Sequence, residues 1–135
     1  ELRLYIGVED YGFDGSLEDI KAVLEKSNFP KLKILGLCDS EIQDEICELV
    51  LASKYIKQLQ RLELSMGSLT DKGGQLLLDQ LPQFPNVKYL DVHYHYMTDE
   101  MMKKLKAMSI EVDMEEQNEP DEWDGDLYYY PMLTE

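Results

Sequence analysis

Basic side chains are scarce in this chain: 13 Lys and Arg stand against 28 Asp and Glu, a formal net charge of −15. Nucleic-acid binding relies on Lys and Arg displacing counterions from phosphate. A chain this acidic is repelled by nucleic acid, and by anionic membrane surfaces likewise. Long apolar runs are missing too. No stretch approaches the ~20 residues that a membrane-spanning helix requires, and no signal peptide is visible. Cysteine is limited to Cys38 and Cys47, without the spacing of a metal site. One is expected on a strand and the other on a helix of the same unit, with nothing to bring them together. Both are read as reduced thiols of a cytoplasmic protein.

What the sequence does have is a pattern written three times. Leu32-x-x-Leu35-x-Leu37, Leu59-x-x-Leu62-x-Leu64 and Val87-x-x-Leu90-x-Val92 follow one another at steps of 59−32 = 27 and 87−59 = 28. Another apolar residue follows each copy five positions on, as Ile42, Leu69 and Met97. Within each copy the alternation has period two and describes a strand. Beyond it the period changes. Ile46, Leu49 and Val50, then Leu76, Leu77 and Leu81, then Met101, Leu105 and Met108 recur at helical spacing. Thr70-Asp71 and Thr98-Asp99 offer a capping hydroxyl and acid at the positive helix end. Pro30, Pro82 and Pro85 fall in the return loops, where a helix has to stop.

A weaker first copy runs through Leu2, Leu4, Ile6 and Val8, with Ile6 expected to align with Leu35, and Ser16 to Asp19 resembling a capping box. A partial fifth copy is expected at Ile110-x-Val112-x-Met114. Repetition at this period marks units that bury their apolar faces only against neighbours. The chain opens at Glu1, directly on a strand and with no cap, so further repeats are expected N-terminal to it.

The Leu-x-x-Leu-x-Leu runs, with the Leu69-Thr70-Asp71-Lys72-Gly73 and Met97-Thr98-Asp99-Glu100-Met101 turns, resemble the leucine-rich repeat in its ribonuclease-inhibitor-like subclass. The resemblance implies an α/β fold. It would be a right-handed solenoid, or horseshoe, with a parallel sheet on the concave side and helices on the convex side. The repeat domain is expected over residues 1–114, about four repeats and a partial one. One departure stands out. The family places Asn or Cys three residues after the last strand leucine, where the side chain bonds the turn backbone. Here those positions hold Tyr11, Ser40, Gly67 and His95, which affects the turns and not the stacking of strands.

Residues 115–135 read as an acidic tail. From Glu111 to Asp126 nine acids occur without one Lys or Arg, leaving −6 for the rest of the chain. An EF-hand reading fails: with Asp124-Gly125 at loop positions five and six, the first and twelfth positions are Pro120 and Pro131. The apolar end, Leu127 to Leu133, is expected to fold back as a cap over the last repeat, with Trp123 as its anchor.

Chemistry is hard to find. Asp91-x-His93-x-His95 puts imidazoles beside a carboxylate, a donor set for zinc or another divalent metal. Yet His95 is expected in the turn, and the facing strand supplies Glu63 and no further His or Cys. Ser65 lies one repeat from His93, but a catalytic triad needs its base oriented by the acid. Residues two apart on a flat strand project in parallel and do not bond each other easily. Gly73-Gly74 opens a helix and lacks phosphate-loop spacing. No cofactor is expected and the protein is read as non-enzymatic, the alternative being a metal-dependent or hydrolytic site around Asp91 and His93. The leading expectation is a concave face that binds a protein or peptide through Tyr5, Arg61, Glu63, Met66, Tyr89, Asp91, His93 and Tyr94. Aromatics, Met and Arg are the types enriched at interaction hot spots, and the carboxylates suit a basic partner.

Overall fold

Leucines at every second position set the strands, and a computed structural model describing residues 1–133 shows how these stack. The strands are β1 (Leu2–Gly7), β2 (Ile34–Ser40), β3 (Arg61–Glu63), β4 (Tyr89–Asp91) and β5 (Glu111–Asp113). All are parallel and lie side by side in chain order. The 27- and 28-residue steps translate directly into register. Leu35, Leu62, Leu90 and Val112 form one row across the sheet, and Ile34, Arg61, Tyr89 and Glu111 the next.

Between the strands run α1 (Leu17–Lys26), α2 (Gln43–Leu51), α3 (Asp71–Gln80) and α4 (Asp99–Lys106), each packed on its sequence neighbour. Their apolar stripes, carrying Ile20, Leu24, Ile46, Val50, Leu77 and Leu105, join the strand leucines in one core. Fully burying a leucine contributes roughly 1.5–3 kcal/mol. The helix starts are capped where the sequence indicates. Thr70 accepts from the Lys72 amide, Thr98 accepts from the Met101 amide, and the Ser16 amide donates to Asp19 at 2.7 Å. Gly74 in α3 lets α4 approach, since a Cβ there would stand 2.8 Å from Met101 Cγ. Among the described residues no helix is long and apolar enough to cross a membrane.

Three expectations give way. First, β1 is shifted by four residues: Leu2, not Ile6, pairs with Leu35, and Leu4 pairs with Leu37. Second, the fifth layer continues past residue 114. The Tyr94 and His95 amides donate to the carbonyls of Glu115 and Glu116, and the Asn118 amide donates to His95 O at 2.7 Å. Third, the tail does not cap the last repeat. It forms a hairpin of β6 (Asp121–Trp123) and β7 (Asp126–Tyr128), then crosses the turns that follow the sheet strands. Tyr130 O accepts from the Tyr94 and Tyr96 hydroxyls, the Met132 amide donates to Met66 O, and the Leu133 amide donates to Asp39. Trp123 anchors nothing; it is 76% exposed.

The post-strand turns, where the sequence lacks the expected asparagine or cysteine, are closed by several devices. Asp39, Met66, Tyr94 and Glu116 each adopt a left-handed backbone (φ between 57° and 66°), one per layer. Ser40 Oγ accepts from the Ile42 amide at 3.1 Å, and His95 Nδ1 accepts from the Met97 amide at 3.0 Å. Gly67 has no side chain to offer; the space beside it is filled by Gln43, whose amide donates to Leu37 O at 2.7 Å. Buried backbone groups demand partners, and the side chains of different layers supply them. The Tyr11 side chain lies outside the described residues.

Candidate functional site

Because Leu62 and Leu90 point into the core, Arg61, Glu63, Tyr89 and Asp91 emerge on the sheet face away from the helices. Register then builds one row across all five strands, charged except at Gly36: Arg3, Gly36, Glu63, Asp91 and Asp113. Gly36 has no side chain, and the gap is spanned by an ion pair. Arg3 donates from Nε and Nη2 to Oε2 and Oε1 of Glu63 at 2.6 and 2.9 Å, while Arg61 Nε donates to Oε1 at 2.6 Å.

Glu63 is only 5% exposed. Burial by itself would raise its carboxyl pKa, but the hydrogen bonds and charges of Arg3 and Arg61 outweigh this and hold it below the usual range. Arg61 also lies over the Tyr89 ring, 4.0 Å from its centroid. Glu63 is thus spent inside the chain, a correction to its expected role as a carboxylate facing a partner.

The row changes character beyond β3. Asp91 Oδ1 accepts from the His93 amide at 3.0 Å and lies 2.7 Å from His93 Nδ1. Two residues apart on a strand were expected not to meet. They do because β4 ends at Asp91 and the backbone turns there, folding His93 back onto the carboxylate. Burial would lower the His93 pKa, yet the bond to Asp91 and the charges of Asp91, Asp113 and Glu116 raise it overall. Arg61 Nη2 is 3.8 Å from Asp91 Oδ2. Asp113 follows in register on β5 and has no ion pair among the described residues, its Oδ1 accepting only the Glu115 amide. One ligand atom each from Asp91, His93 and Asp113 lie within 4.8 Å of one another.

His95 is elsewhere altogether. Fully buried, it donates from Nε2 to Met114 O at 2.9 Å while Nδ1 accepts the Met97 amide, and burial pushes its pKa down.

The structure gathers Arg61, Glu63, Tyr89, Asp91 and His93 into one network. It leaves Tyr5 apart, 58% exposed on β1 and aligned with Cys38 instead of Ile34. Met66 and Tyr94 sit at the rim under the chain's own C-terminal segment. Two network members escaped the sequence. Arg3 would have been found by aligning Leu2 and Leu4 with Leu35 and Leu37. Asp113 was available in the alternation around Val112. Both cysteines are free and buried, with burial pushing their thiol pKa values up.

No family model matches the sequence, and neither does any curated protein. Among solved structures, a crystallised protein from Bacteroides fragilis superimposes with a TM-score of 0.80 at 40% identity, over 86% of this chain and 33% of that one. The chain therefore spans about a third of that protein's length. The tropomodulin C-terminal domain of Caenorhabditis elegans gives a TM-score of 0.53 at 17% identity, over 76% of this chain and 66% of that domain. This is a likeness of fold: mixed α/β with a five-stranded parallel sheet, of the leucine-rich-repeat kind.

Proposed function

We propose that this chain is a non-enzymatic protein-interaction module that binds a basic protein or peptide on its open sheet face. The face would be the concave side of a horseshoe of the ribonuclease-inhibitor-like subclass, within a cytoplasmic protein. One observation carries this reading. Two arginines neutralise Glu63, whereas the in-register Asp91–Asp113 pair beyond it has only His93 and Arg61, the latter 3.8 Å from Asp91, between them. Strands lie ≈ 4.7–4.9 Å apart, so two carboxylates on adjacent strands attract a cationic side chain. Further repeats N-terminal to β1 belong to the same reading, because an apolar cleft of about 280 Å³ lined by Leu2, Leu4, Phe13 and Val23 lies at that end.

The test compares basic and acidic peptides of matched length for binding to the protein, to Asp113→Lys, and to Glu48→Lys on the exposed side of α2. Basic peptides should bind with salt-sensitive affinity, lose it in Asp113→Lys and keep it in Glu48→Lys. Equal loss in both variants would reduce the effect to net charge and sink the assignment.

A second reading rests on Asp91, His93 and Asp113 as three converging metal ligands, supporting a metal-dependent or hydrolytic site. Asp91 Oδ1 and His93 Nδ1 already bond each other at 2.7 Å, which ranks this reading second. Elemental analysis of the purified protein separates the two. Stoichiometric metal that disappears in His93→Ala and Asp113→Ala would favour the second.

A further inference from the structure

The β6–β7 hairpin holds Trp123, the most exposed large hydrophobic residue among those described. Its turn is well formed: Asp124 (φ 53°) and Gly125 (φ 84°) are both left-handed, the two-residue arrangement whose twist matches paired strands. Asp121 faces Tyr128 and Trp123 faces Asp126, so these four side chains share one face of the hairpin. Tyr128 and Tyr130 stack nearly parallel, 12° apart with centroids at 6.4 Å. Asp121, Glu122, Trp123, Tyr128 and Tyr130 together line a cleft of about 490 Å³.

This cleft is held in place. The Tyr130 amide donates to Tyr96 Oη at 3.1 Å and its carbonyl accepts from Tyr94 and Tyr96, pinning one wall to the repeat body. It is also short of cations. No Lys, Arg or His follows Lys106 in the sequence. The cation–aromatic contacts among the described residues are Lys54 on Tyr55 and Arg61 on Tyr89, neither of them at this cleft.

Aromatic faces are electronegative and recognise ammonium groups, quaternary ones above all. The carboxylates of Asp121 and Asp126, on the same face as the rings, add charge to that preference, and a neutral apolar ligand would gain nothing from them. We infer that the hairpin cleft binds an organic ammonium cation, its alkyl groups against Trp123, Tyr128 and Tyr130 and its charge toward Asp121 and Asp126, the carboxylates on the same face. This site is separate from the sheet face and does not depend on its reading.

Trp123 is the only tryptophan, so its fluorescence reports on this cleft alone. The experiment titrates the protein with choline at constant ionic strength, and in parallel with 3,3-dimethyl-1-butanol, the neutral isostere. A saturable change in emission with choline and none with the alcohol is expected. Tyr128→Ala should weaken the response by about tenfold, a difference of about 1.4 kcal/mol. The double variant Asp121→Asn, Asp126→Asn, which keeps every ring, should weaken it similarly. No response to choline, an equal response to the alcohol, or an unchanged response in the double variant would overturn the inference.

Discussion

Arg3 and Glu63, sixty residues apart in sequence, meet in a two-pronged ion pair across the bare backbone of Gly36. The glycine separates them by one strand and makes their contact possible. A Cβ at residue 36 would stand 2.9 Å from Glu63 Oε2 and 3.1 Å from Arg3 Cγ. Three layers are thereby cross-linked on the open face, in addition to the leucines on the core face.

Glu63→Gln should therefore lower stability by about 1–3 kcal/mol, because two guanidinium groups lose a charged acceptor that is nearly buried. Its pH dependence follows from sign. The folded state holds the Glu63 pKa below its ordinary 4.5, so the contribution is complete above 4.5 and lost as pH falls through the folded value. Urea denaturation of the two proteins between pH 7 and pH 2 should show curves that converge in acid. A gap that persists undiminished would mean that the ion pair is not its source.

Helix caps are shared between layers as well. Asp44 accepts from the Thr70 amide and hydroxyl at 2.9 and 2.6 Å, and Asp71 does the same for Thr98 at 2.8 and 2.8 Å. Asp99 completes the series by accepting from Gln117 at 2.9 Å. Each acid sits in the first turn of its own helix while ordering the start of the next layer. Asp71→Ala and Thr98→Val should each cost about 0.5–2 kcal/mol, the range for a helix cap. The double variant should cost less than their sum, since both remove one contact. Strict additivity in chemical denaturation would disprove the shared cap.

Gly67→Ala tests the turn that has no side chain of its own to close it. Its new methyl group would meet Ser40 O at 2.8 Å and collide with the Gln43 side chain, both held by neighbouring layers. Backbone oxygen cannot step aside cheaply, so overpacking of about 1–3 kcal/mol is expected. Thermal melts of Gly67→Ala against Gly12→Ala, where a Cβ meets nothing within 4 Å but the backbone is left-handed, separate collision from strain. A Gly67→Ala melt at the parent temperature would show the turn to be loose.

The sheet was legible because leucine burial is periodic: Leu35, Leu62 and Leu90 pair where the 27- and 28-residue steps put them. The edges were not. At the first strand, Leu2, Leu4 and Ile6 in β1 and Val8 just beyond it alternate without interruption, so a strand shift of four residues leaves the same faces apolar. The observed register brings Arg3 to Glu63, a contact two strands away that local alternation does not reveal. The cap ladder was present as Asp44, Asp71 and Asp99, again 27 and 28 apart. It went unread because acid near a helix start already has a local explanation in the dipole. His95 lies in the turn, as expected, but its bonds were not legible. Its sequence neighbours are tyrosines, whereas its bonds go to Met97 and to Met114, one layer on.

The two histidines should titrate apart, and in opposite directions. Folding raises the His93 pKa above 6.5 through Asp91, Asp113 and Glu116, against the effect of burial. Its stabilising contribution is complete below 6.5 and lost as pH rises through the folded value. His95 is lowered by burial. Its Nδ1 accepts the Met97 amide, so protonation would set one N–H against another. That contribution is present above 6.5 and lost as pH falls. With two histidines in the chain, the imidazole resonances in an NMR titration are readily assigned by His93→Gln. Asp91→Asn should bring the His93 midpoint down toward or below 6.5 and leave His95 unchanged. A common midpoint for both rings would remove the Asp91–His93 pair, and with it the charge accounting that singles out Asp113 as the open carboxylate.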